Sequence, residues 1–537
     1  MIVGAICRYI LNAKAAGEKR PLLVCGPTNK SVVVLARKFL QCIEEDKSIN
    51  TVLIGEKTEL LSDKHDELEN IFVFSYLSRL VSKWRELGQR LMKNKDIAWY
   101  ERESHDLISK MRMKIPSMNL TSLEMALSEI SECFDSLHED EEEFKDILVD
   151  FDSDDEDDNF PGQVKKQEQK RKRNSDDRLH RELKSALKKV LEEVRDTDDQ
   201  KVVQELLGSS DVIFSTLSTT GSMPMRRMGQ VCALIVDEAS ACTEPEILVA
   251  LNSEPKKLLL VGDPKQLPAT VKSPDAVKYG LTQSLQERLM FKNKCEYTML
   301  DTQYRMHPEI SKWPLAKFYD DKVKDGPNVT DEAYTSNVAL LTGEPYIWVQ
   351  VSGKEQKDEH MSTMNEAEGM AIIGLLLKLV EDHNLPIDWF TPDRIRIITF
   401  YKAQEDYLRF KLKQYNLNVT VSTVDASQGC EADMVIVSFV RGTSGQMGFI
   451  KDKQRLNVAV TRAKYQLVCV GNHDAIAGLA QRGGNFVLRD MAQDALARCQ
   501  IVAAPGPLPP PPLRVRKPSP TSKGGKRKKR TKGKQKR

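Results

Sequence analysis

Apolar and polar positions follow two patterns along the chain, one helical and one typical of buried strands. Residues 1–54 read as helix, strand, helix, strand, because helical spacing at 1–16 and 31–45 alternates with the short apolar runs PLLVCG and TVLIG. Similar runs that end in polar loops return within 209–271 (DVIFSTLS, CALIVDEAS, KLLLVGDP) and within 291–490 (RIRIITF, VTVSTV, DMVIVSF, QLVCVGN). Such alternation predicts an α/β fold with parallel sheets and helices on their faces. Two blocks of this kind predict two similar domains that face each other across a cleft.

The stretch from 60 to 205 differs, because it is charged, favours helix and contains almost no glycine. We expect a helical insertion in the first domain, with a disordered loop at about 139–178 where an acidic run precedes a basic one. The acidic run is either a solvated linker or a mimic of nucleic acid that occupies a basic track or binds the tail. From 504 a proline-rich stretch leads into a tail, 504–537, that we predict to be disordered.

Charge is distributed unevenly along the chain. The segment from Arg514 to the end contains 13 Lys and Arg and no Asp or Glu, and since the whole chain carries +2, the first 513 residues carry −11. Net charge by itself therefore does not indicate a nucleic-acid-binding protein. The run KRKKR at 526–530 has the composition of a nuclear import signal, and the tail could also bind phosphates nonspecifically. We expect a protein that is nuclear or shuttles between nucleus and cytoplasm.

Cysteine spacing and the lengths of apolar runs indicate whether the protein has metal sites, disulfides or membrane-spanning segments. The ten cysteines form no C-x-x-C pair and have no histidine at ligand spacing, so we expect ordinary thiols, without zinc or disulfides. No apolar run approaches the roughly 18–20 residues that cross a bilayer. We therefore expect a soluble intracellular protein that does not bind membranes.

A pair of carboxylates follows one of the predicted strands. Asp237 and Glu238 come directly after the apolar run ALIV, at the end of a strand where α/β sites form. One carboxylate could anchor hydrated Mg²⁺ while the other orients and deprotonates an attacking water. The pair alone is a weak signal, because strand ends often carry solvated acids. Twenty residues after Asp237 begins KLLLVGDPKQLP, in which Gln266 lies on a Gly/Pro-rich turn and could contact a γ-phosphate and the lytic water; a plain strand and turn is the alternative.

Five motifs together resemble a known enzyme family. DEAS, GDPKQLP, LDTQYRMHP, VDASQGCEAD and LNVAVTRAK occur in the order and at the spacing of superfamily 1 helicases, over residues 21–472. More narrowly, the chain is similar to the branch that contains senataxin and the nonsense-mediated-decay helicase. The resemblance implies two RecA-like domains, at 1–290 and 291–490, in a monomer that hydrolyses ATP with Mg²⁺. It also implies translocation along single-stranded RNA or DNA, with 5′-to-3′ movement by family analogy.

The resemblance assigns roles at the phosphates of ATP. Asp237 would hold Mg²⁺ through water, Glu238 would be the general base, and Gln266 would sense the γ-phosphate. Arg305 and Arg462 would reach the phosphates from the second domain. A planar, permanently charged guanidinium suits this role, because phosphoryl transfer needs negative charge to be neutralised.

Other motif residues are implied at the nucleoside and at the nucleic acid. Tyr304 would stack on adenine, Glu431 would bind the ribose hydroxyls, and Gln428 and Gly429 would shape that turn. Polar groups at strand ends would contact the nucleic-acid backbone. These residues are Pro27, Thr28, Asn29, Thr216, Thr399 and Thr423. Short hydroxyl residues at strand ends are also common helix caps, which is the alternative role for each of the threonines.

One motif of the family is missing from the sequence. No G-x-x-G-x-G-K-[ST] loop occurs, and the nearest fragments, GEKT at 55–58 and SGKE at 352–355, lack its glycines. MIVGAICRYIL looks like the helix that follows that loop, so we expect a truncated form rather than a degenerate ATPase. The polypeptide as written should bind ATP poorly and hydrolyse it little.

A non-catalytic nucleic-acid-binding or scaffold protein descended from a helicase is the rival interpretation. The missing loop favours it, whereas the retention of both carboxylates, the glutamine and both arginines argues against it. The acidic insertion and the proline-rich tail could bind protein partners. The motifs do not separate RNA from DNA, because residues that track the backbone accept both.

Overall fold

The chain forms two compact units. The first comprises Met1–Pro264 and Pro268–Tyr297, and the second comprises Lys265–Leu267 and Thr298–Arg537. The predicted domain boundary at 290/291 lies slightly before this division. The computed structural model describes residues 2–43, 49–60, 66–94, 97–114, 199–335, 343–386, 389–441, 447–482, 486–506 and 508–510, and residues 125, 128 and 185 singly.

The first unit is built on a five-stranded parallel sheet with the strand order β2-β3-β1-β4-β5. The strands are β1 (Leu22–Gly26), β2 (Thr51–Ile54), β3 (Val212–Thr216), β4 (Ala233–Val236) and β5 (Leu258–Leu260). Every residue of β1 to β4 is buried, as expected for short apolar strands covered on both faces. β1 lies at the centre of the sheet, between β3 and β4.

Helices cover both faces of this sheet. The described helices of the first unit are α1 (Ile2–Ala15), α2 (Asn29–Cys42), α3 (Lys57–Leu60), α4 (Asp66–Ile71), α5 (Tyr76–Asn94), α6 (Ile97–Lys114), α7 (Asp199–Gly208), α8 (Met223–Met228), α9 (Glu244–Leu251), α10 (Pro274–Lys278) and α11 (Leu285–Glu287). The described helices of the predicted insertion belong to this core, because Trp84, Met111 and Leu207 pack with strand residues such as Ile213. The predicted acidic loop at 139–178 lies outside the described residues.

β5 is an edge strand with an unusual surface. Leu258 and Leu259 are 39% and 48% exposed, whereas the neighbouring strand β4 is buried throughout. In the part of the chain that the structure describes, β4 is the strand with which β5 pairs. Within the described residues, the sheet of the first unit therefore ends on a partly exposed apolar strand.

The second unit contains a six-stranded parallel sheet with the order β12-β11-β13-β14-β8-β15, and two short ribbons, β6 with β7 and β9 with β10. Its strands are β6 (Thr302–Gln303), β7 (Lys324–Asp325), β8 (Tyr346–Gln350), β9 (Glu355–Lys357), β10 (Thr363–Asn365), β11 (Ile395–Thr399), β12 (Thr420–Thr423), β13 (Ala432–Ser438), β14 (Ala463–Gly471) and β15 (Gln500–Ala503). The predicted α/β fold with two parallel sheets is confirmed. β8 and β15 extend the second sheet beyond the four strands predicted for it.

Side chains of the second sheet alternate between two cores. Trp348 and Ile398 pack on one face, and Ile347, Val349 and Ile397 pack on the other, as the twofold period of a strand requires. The helices of this unit are α12 (Pro308–Tyr319), α13 (Pro327–Thr330), α14 (Glu332–Thr335), α15 (Glu366–His383), α16 (Lys402–Gln414), α17 (Lys453–Val460), α18 (His473–Arg482) and α19 (Phe486–Arg498). In the described residues no helix is both long enough and apolar enough to cross a membrane.

The proline-rich stretch begins on the surface of the second unit. Leu508 packs on the core of α15 and α16, and the Tyr415 hydroxyl donates a hydrogen bond to the Pro509 carbonyl at 3.1 Å. The first residues of the predicted disordered tail are therefore packed against the sheet domain. Residues 511–537, with the KRKKR run, lie outside the described residues.

Candidate functional site

Strand register brings distant sequence motifs together at the carboxyl edge of the first sheet. Gly26 at the end of β1 is opposite Thr216 at the end of β3, and Cys25 is opposite Val236. The Asp237 amide donates a hydrogen bond to the Cys25 carbonyl at 2.8 Å. The predicted backbone-contact residues and the predicted metal ligand thus come from adjacent strands.

Asp237, at this edge, has a partly buried carboxyl with a raised pKa. Burial raises the pKa of its carboxyl to about 6, and the negative charge of Glu238 adds to the rise. The hydrogen bond from the Glu238 amide to Asp237 Oδ1, at 3.0 Å, only partly offsets this effect. Glu238 itself has a left-handed backbone, with φ of 53°, which is uncommon for a residue with a side chain. A desolvated carboxylate beside a strained acidic residue is typical of a functional site.

Gly262 lets two motif loops pack closely. A Cβ atom at this position would lie 2.5 Å from Gln286 Oε1 and 2.7 Å from the Ser240 amide nitrogen. The Ala239 amide donates to the Val261 carbonyl at 2.8 Å, and Ser240 Oγ donates to the Asp263 carbonyl at 3.0 Å. The loop after β5 is therefore fixed against the loop that carries the two carboxylates.

The predicted nucleic-acid residues of the first unit make local hydrogen bonds. Thr28 is the N-cap of α2, where its hydroxyl accepts from the Ser31 amide at 3.1 Å, and its own amide donates to Ser31 Oγ at 3.2 Å. Thr216 is buried, with its hydroxyl 2.8 Å from that of Thr219. Pro27 and Asn29 are partly exposed at the start of α2. These threonines serve as caps and turn residues, while the exposed start of α2 remains accessible to a ligand.

Arg305 and Glu431 of the second unit form an ion pair. Arg305 Nε lies 2.8 Å from Glu431 Oε2, and Arg305 Nη1 donates to the Thr461 carbonyl at 3.2 Å. Lys464 Nζ also approaches Glu431, at 3.4 Å. The structure thus brings together residues that the motifs assign to phosphate and to ribose.

Arg462 is buried within the same cluster. Its guanidinium donates to the carbonyls of Val458 at 3.1 Å and Cys430 at 3.4 Å. Its Nη2 donates to Gln266 Oε1 at 3.3 Å. Two residues assigned to the γ-phosphate, nearly two hundred positions apart in sequence, are therefore in direct contact.

Tyr304 is 61% exposed beside this cluster. Its ring lies against Gly326, where a Cβ atom would be 2.5 Å from Tyr304 Cδ1, so the glycine makes room for the ring. Gly429 has φ of 72°, a left-handed conformation that explains a glycine at the turn after Gln428. An exposed aromatic ring and a glycine turn suit the nucleoside roles predicted for them.

Thr399 and Thr423 are register partners at the carboxyl ends of β11 and β12. Thr423 is partly exposed, and its hydroxyl accepts a hydrogen bond from the Ala426 amide at 3.4 Å. Thr399 is 0% exposed, and among the described residues its hydroxyl has no hydrogen-bond partner. Thr423 can reach a ligand in this conformation, whereas Thr399 lies beneath the surface.

Sequence reasoning missed a buried polar network at the same edge of the second sheet. Glu368 of α15 accepts hydrogen bonds from the Ser438 hydroxyl at 2.7 Å and the Val440 amide at 2.8 Å. Burial raises the pKa of Glu368 to about 8, which those two hydrogen bonds oppose. Gln404 Nε2 donates to Ser438 Oγ at 3.2 Å and joins α16 to the network. The available signal was a carboxylate on the apolar face of a helix, four positions before Ile372.

The network holds a strained turn after β13. Val440 has φ of 69°, and the Arg441 amide donates to the Phe439 carbonyl at 2.7 Å, which closes a three-residue turn rarely formed by a β-branched residue. Arg441 then pairs with Glu355 at 2.6 Å and donates to the Tyr401 hydroxyl at 3.0 Å. A charged residue directly after an apolar strand was the only sequence signal for this pair.

The acidic, histidine and cysteine side chains of the described residues are dispersed. Over the described ranges, no group of three or more His, Cys, Asp or Glu side chains could hold a metal ion. The nine cysteines in the described part of the chain are free thiols. Asp237 would hold Mg²⁺ as a single carboxylate, which suits an ion that keeps most of its waters when it binds a nucleotide.

Comparison with known proteins gives the family. Two family models described as AAA domains match residues 1–274 and 281–474. Helicase SEN1 of Saccharomyces cerevisiae is 36% identical over 327 residues, and the human probable helicase senataxin is 35% identical over 294 residues. The regulator of nonsense transcripts 1 of Caenorhabditis elegans is 35% identical over 294 residues. The chain belongs to this branch of the superfamily 1 helicases.

The matches cover part of each protein. The three alignments include 59%, 51% and 51% of this chain, but only 14%, 11% and 26% of the respective relatives. The chain therefore corresponds to a nucleic-acid helicase core. A solved structure, the PRRSV nsp10 helicase, covers 49% of the chain and 40% of its own length at 15% identity, but its TM-score of 0.16 supports no argument.

Proposed function

We propose that this chain is the core of a helicase that couples ATP hydrolysis to translocation along single-stranded RNA or DNA in the 5′-to-3′ direction, in a form whose own ATPase activity is impaired. The observation that carries the proposal is the desolvated Asp237 beside Glu238 at the carboxyl end of β4. A buried carboxylate with a raised pKa gains most from a cation, because the cation offsets the cost of burying its charge. Hydrated Mg²⁺ bound to nucleotide phosphates is the cation that suits this position.

The carboxylates of the first unit have different roles in this proposal. Asp237 would hold Mg²⁺ through water, and the chemistry supplied there would be neutralisation of charge on the phosphates. Glu238 accepts the proton of the attacking water. The backbone of Glu238 is left-handed, with φ of 53°, so the chain turns away from the direction of β4 at this residue. The carboxylates of Asp237 and Glu238 therefore need not lie on the same side of the strand. A conformation of this kind is costly and is retained where geometry matters.

The second unit supplies the positive charge. Arg305, Arg462 and Gln266 would contact the phosphates, and Glu431 with the turn at Gln428 and Gly429 would contact the ribose. Arg305 is already paired with Glu431, so a phosphate has to compete with that carboxylate for the guanidinium. This exchange of partners would make the position of Arg305 sensitive to the bound nucleotide. The exposed Tyr304 ring would stack on adenine.

Nucleic acid would follow the carboxyl edges of the two sheets. Pro27, Thr28 and Asn29 present the start of α2, whose N–H groups favour a phosphate, and Thr423 presents a partly exposed hydroxyl. Thr216 and Thr399 would support these segments from beneath. Contacts of this kind read the backbone, which is the reason that both RNA and DNA are proposed. The composition of the KRKKR run at 526–530 supports a nuclear or shuttling location as part of this proposal.

The sequence lacks the glycine-rich loop that binds phosphates in this family, so we expect residues 1–537 to bind ATP weakly. The same observation favours the second candidate, a non-catalytic nucleic-acid-binding or scaffold protein. Partner binding through the acidic insertion or the proline-rich stretch belongs to either candidate. The helicase and scaffold candidates differ in whether residual ATP hydrolysis depends on the carboxylates of Asp237 and Glu238.

Two measurements on the 537-residue chain test the proposal. Fluorescence anisotropy with a single-stranded oligonucleotide should show salt-sensitive binding. ATP turnover with saturating oligonucleotide should be far below the roughly 10 per second of a typical enzyme, and Glu238→Gln should remove what remains. Residual turnover that Glu238→Gln leaves unchanged would favour the scaffold candidate. Turnover at the rate of an active helicase would contradict the expected loss of ATPase activity. Absence of oligonucleotide binding would contradict the proposed helicase function.

A further inference from the structure

Phe449 is an exposed aromatic residue on a short turn of the second unit. The turn, Gly448–Lys451, lies between β13 and α17, and the Phe449 ring is 52% exposed. The Arg455 guanidinium lies 4.9 Å from the ring centroid, within cation–π range. The Tyr401 ring is 5.5 Å away, tilted by 35°. About half of the Phe449 surface therefore remains open while two neighbours support the rest.

The backbone beneath Phe449 is fixed by a buried tyrosine. The Phe449 amide donates to the Tyr401 hydroxyl at 3.0 Å, and Arg441 Nε donates to the same oxygen at 3.0 Å. Gly448 has φ of 54°, and a Cβ atom there would collide with the Tyr401 hydroxyl, so only glycine allows this approach. Arg441 is itself held by Glu355 at 2.6 Å. Phe449 is thus presented by a rigid support, which an exposed residue of no function does not require.

The ring is connected to both strand ends at which nucleic acid is expected. Tyr401 follows the end of β11 by two residues, and β11 ends at Thr399. Arg455 pairs with Asp425 at 3.0 Å, and Asp425 follows the end of β12, Thr423, by two residues. Phe449 therefore lies next to the register pair Thr399 and Thr423, on the side where the strands end.

The charge around the ring is compatible with a polyanion. Arg455 contacts both oxygens of Asp425, through Nε at 3.2 Å and Nη2 at 3.0 Å, which compensates that carboxylate. Lys451 ends the turn and Lys453 follows it, and both are exposed, while Asp452 between them lies 3.4 Å from Arg455 Nη1. A supported aromatic ring bordered by basic residues is the arrangement that binds unpaired bases with little sequence preference.

We propose that Phe449 is a stacking platform for a base of single-stranded nucleic acid, with Arg455 supporting the ring. This proposal rests on the proposed function, because it adds a contact with a base to a nucleic acid whose other proposed contacts are with its sugar–phosphate backbone. The ligand class is an unpaired nucleobase, purine or pyrimidine, in RNA or DNA. A ring that merely shields the Arg455–Asp425 ion pair from water is the competing explanation.

The test compares Phe449→Leu with Phe410→Leu in the full chain. Phe410 is a matched control, since it is 57% exposed in the same unit, on α16. Affinity is measured by anisotropy for a single-stranded oligonucleotide and for an abasic oligonucleotide of equal length and charge. Phe449→Leu should weaken binding of the normal strand by about fivefold to a hundredfold and leave abasic binding unchanged. Phe410→Leu should change neither, and Phe449→Trp should retain affinity.

The outcomes separate the two proposals. If the wild type binds the normal strand but Phe449→Leu behaves like Phe410→Leu, the platform is wrong and the motor proposal stands. Equal loss on normal and abasic strands would show that Phe449 acts through the fold or the ion pair and would also overturn the platform. If the wild type binds no single strand, both proposals fail.

Discussion

The carboxyl edges of the two sheets each contain a desolvated carboxylate, and the two are held in different ways. Glu368 in the second unit is fully buried and accepts hydrogen bonds from Ser438 and Val440. Asp237 in the first unit is only partly buried, and the hydrogen bond described for its carboxylate comes from the adjacent Glu238 amide. Burial raises the pKa of both groups, to about 8 and about 6 respectively. A perturbed pKa alone therefore does not separate a structural acid from a functional one.

The surroundings make that distinction. Glu368 organises its neighbours, because it accepts hydrogen bonds from Ser438 and Val440. These bonds hold the turn at Val440 and thereby the position of Arg441. Asp237 organises little around it and bears an electrostatic penalty, which is the signature of a group retained for a ligand. We therefore expect removal of Glu368 to destabilise its unit and neutralisation of Asp237 to stabilise its own.

The largest expected effect follows Glu368→Ala. The Val440 amide and the Ser438 hydroxyl would lose their acceptor in a buried site, at a cost of about 3 kcal/mol to the second unit. Hydrogen–deuterium exchange of peptides from β13 reports this loss locally. Glu368→Gln keeps an acceptor and should cost much less, and Glu366→Ala, at an exposed position in the same helical turn, should cost under about 1 kcal/mol. Equal effects of the alanine substitutions at 366 and 368 would contradict a structural role for Glu368.

The second effect has the opposite sign. Asp237→Asn should stabilise the first unit by about 1–3 kcal/mol at pH 7.5 without divalent metal, since a neutral amide avoids the cost of burying the charge. Because the folded pKa is raised from 3.8 to about 6, the contribution of Asp237 to stability is greatest below pH 4 and is lost as pH rises through 6. Asp237→Asn should lack that loss, as thermal unfolding at pH 4.5 and 7.5 would reveal.

The exposed Asp275 provides a control for that measurement. Asp275→Asn should change the unfolding temperature little and equally at both pH values. If Asp237→Asn destabilised the chain at pH 7.5, Asp237 would be a structural acid like Glu368, and the contrast between the two edges would be lost.

The smallest effect on stability concerns the other difference between the sheets, the apolar edge strand β5. Exposed apolar edge strands promote association between chains, so the wild type should self-associate as its concentration rises. This expectation differs from the monomer predicted from the sequence. Leu259→Lys should suppress this association in sedimentation velocity while changing the free energy of unfolding by less than about 0.5 kcal/mol. Leu248→Lys alters a leucine that is 50% exposed on a helix, and it should leave association unchanged. A wild type that stays monomeric at all concentrations would rule out the edge as an interface.

Much of the fold was predictable because parallel strands leave a simple pattern. The runs PLLVCG, ALIV and DMVIVS form β1, β4 and β13, since continuous apolar segments bounded by polar loops fit a sheet buried on both faces. Helix bounds were close as well: spacing at 1–16 corresponds to Ile2–Ala15, and the capping box at Thr28 starts the second helix slightly before the predicted Ser31. β8 and β15 were missed.

Motif residues were predictable by position but not by environment. The roles of Asp237, Arg305 and Arg462 remain proposals that rest on family motifs. The motifs did not predict the surroundings of these side chains. Arg305 is ion-paired, Arg462 is buried, and Thr399 lies beneath the surface. These differences depend on which neighbours the sheet brings near, and neighbours far apart in sequence leave no local pattern.

The α/β class, the order of the strands along the chain and the chemical types at their ends are all visible in the amino-acid sequence. Those properties depend on local apolar patterning and on side-chain chemistry, which each segment carries with it. Three-dimensional packing places Gly26 between Thr216 and the Asp237 strand, brings Gln266 into contact with Arg462, and lets Glu368 support the turn at Val440. Register and burial arise from contacts between distant segments, so no single segment specifies them.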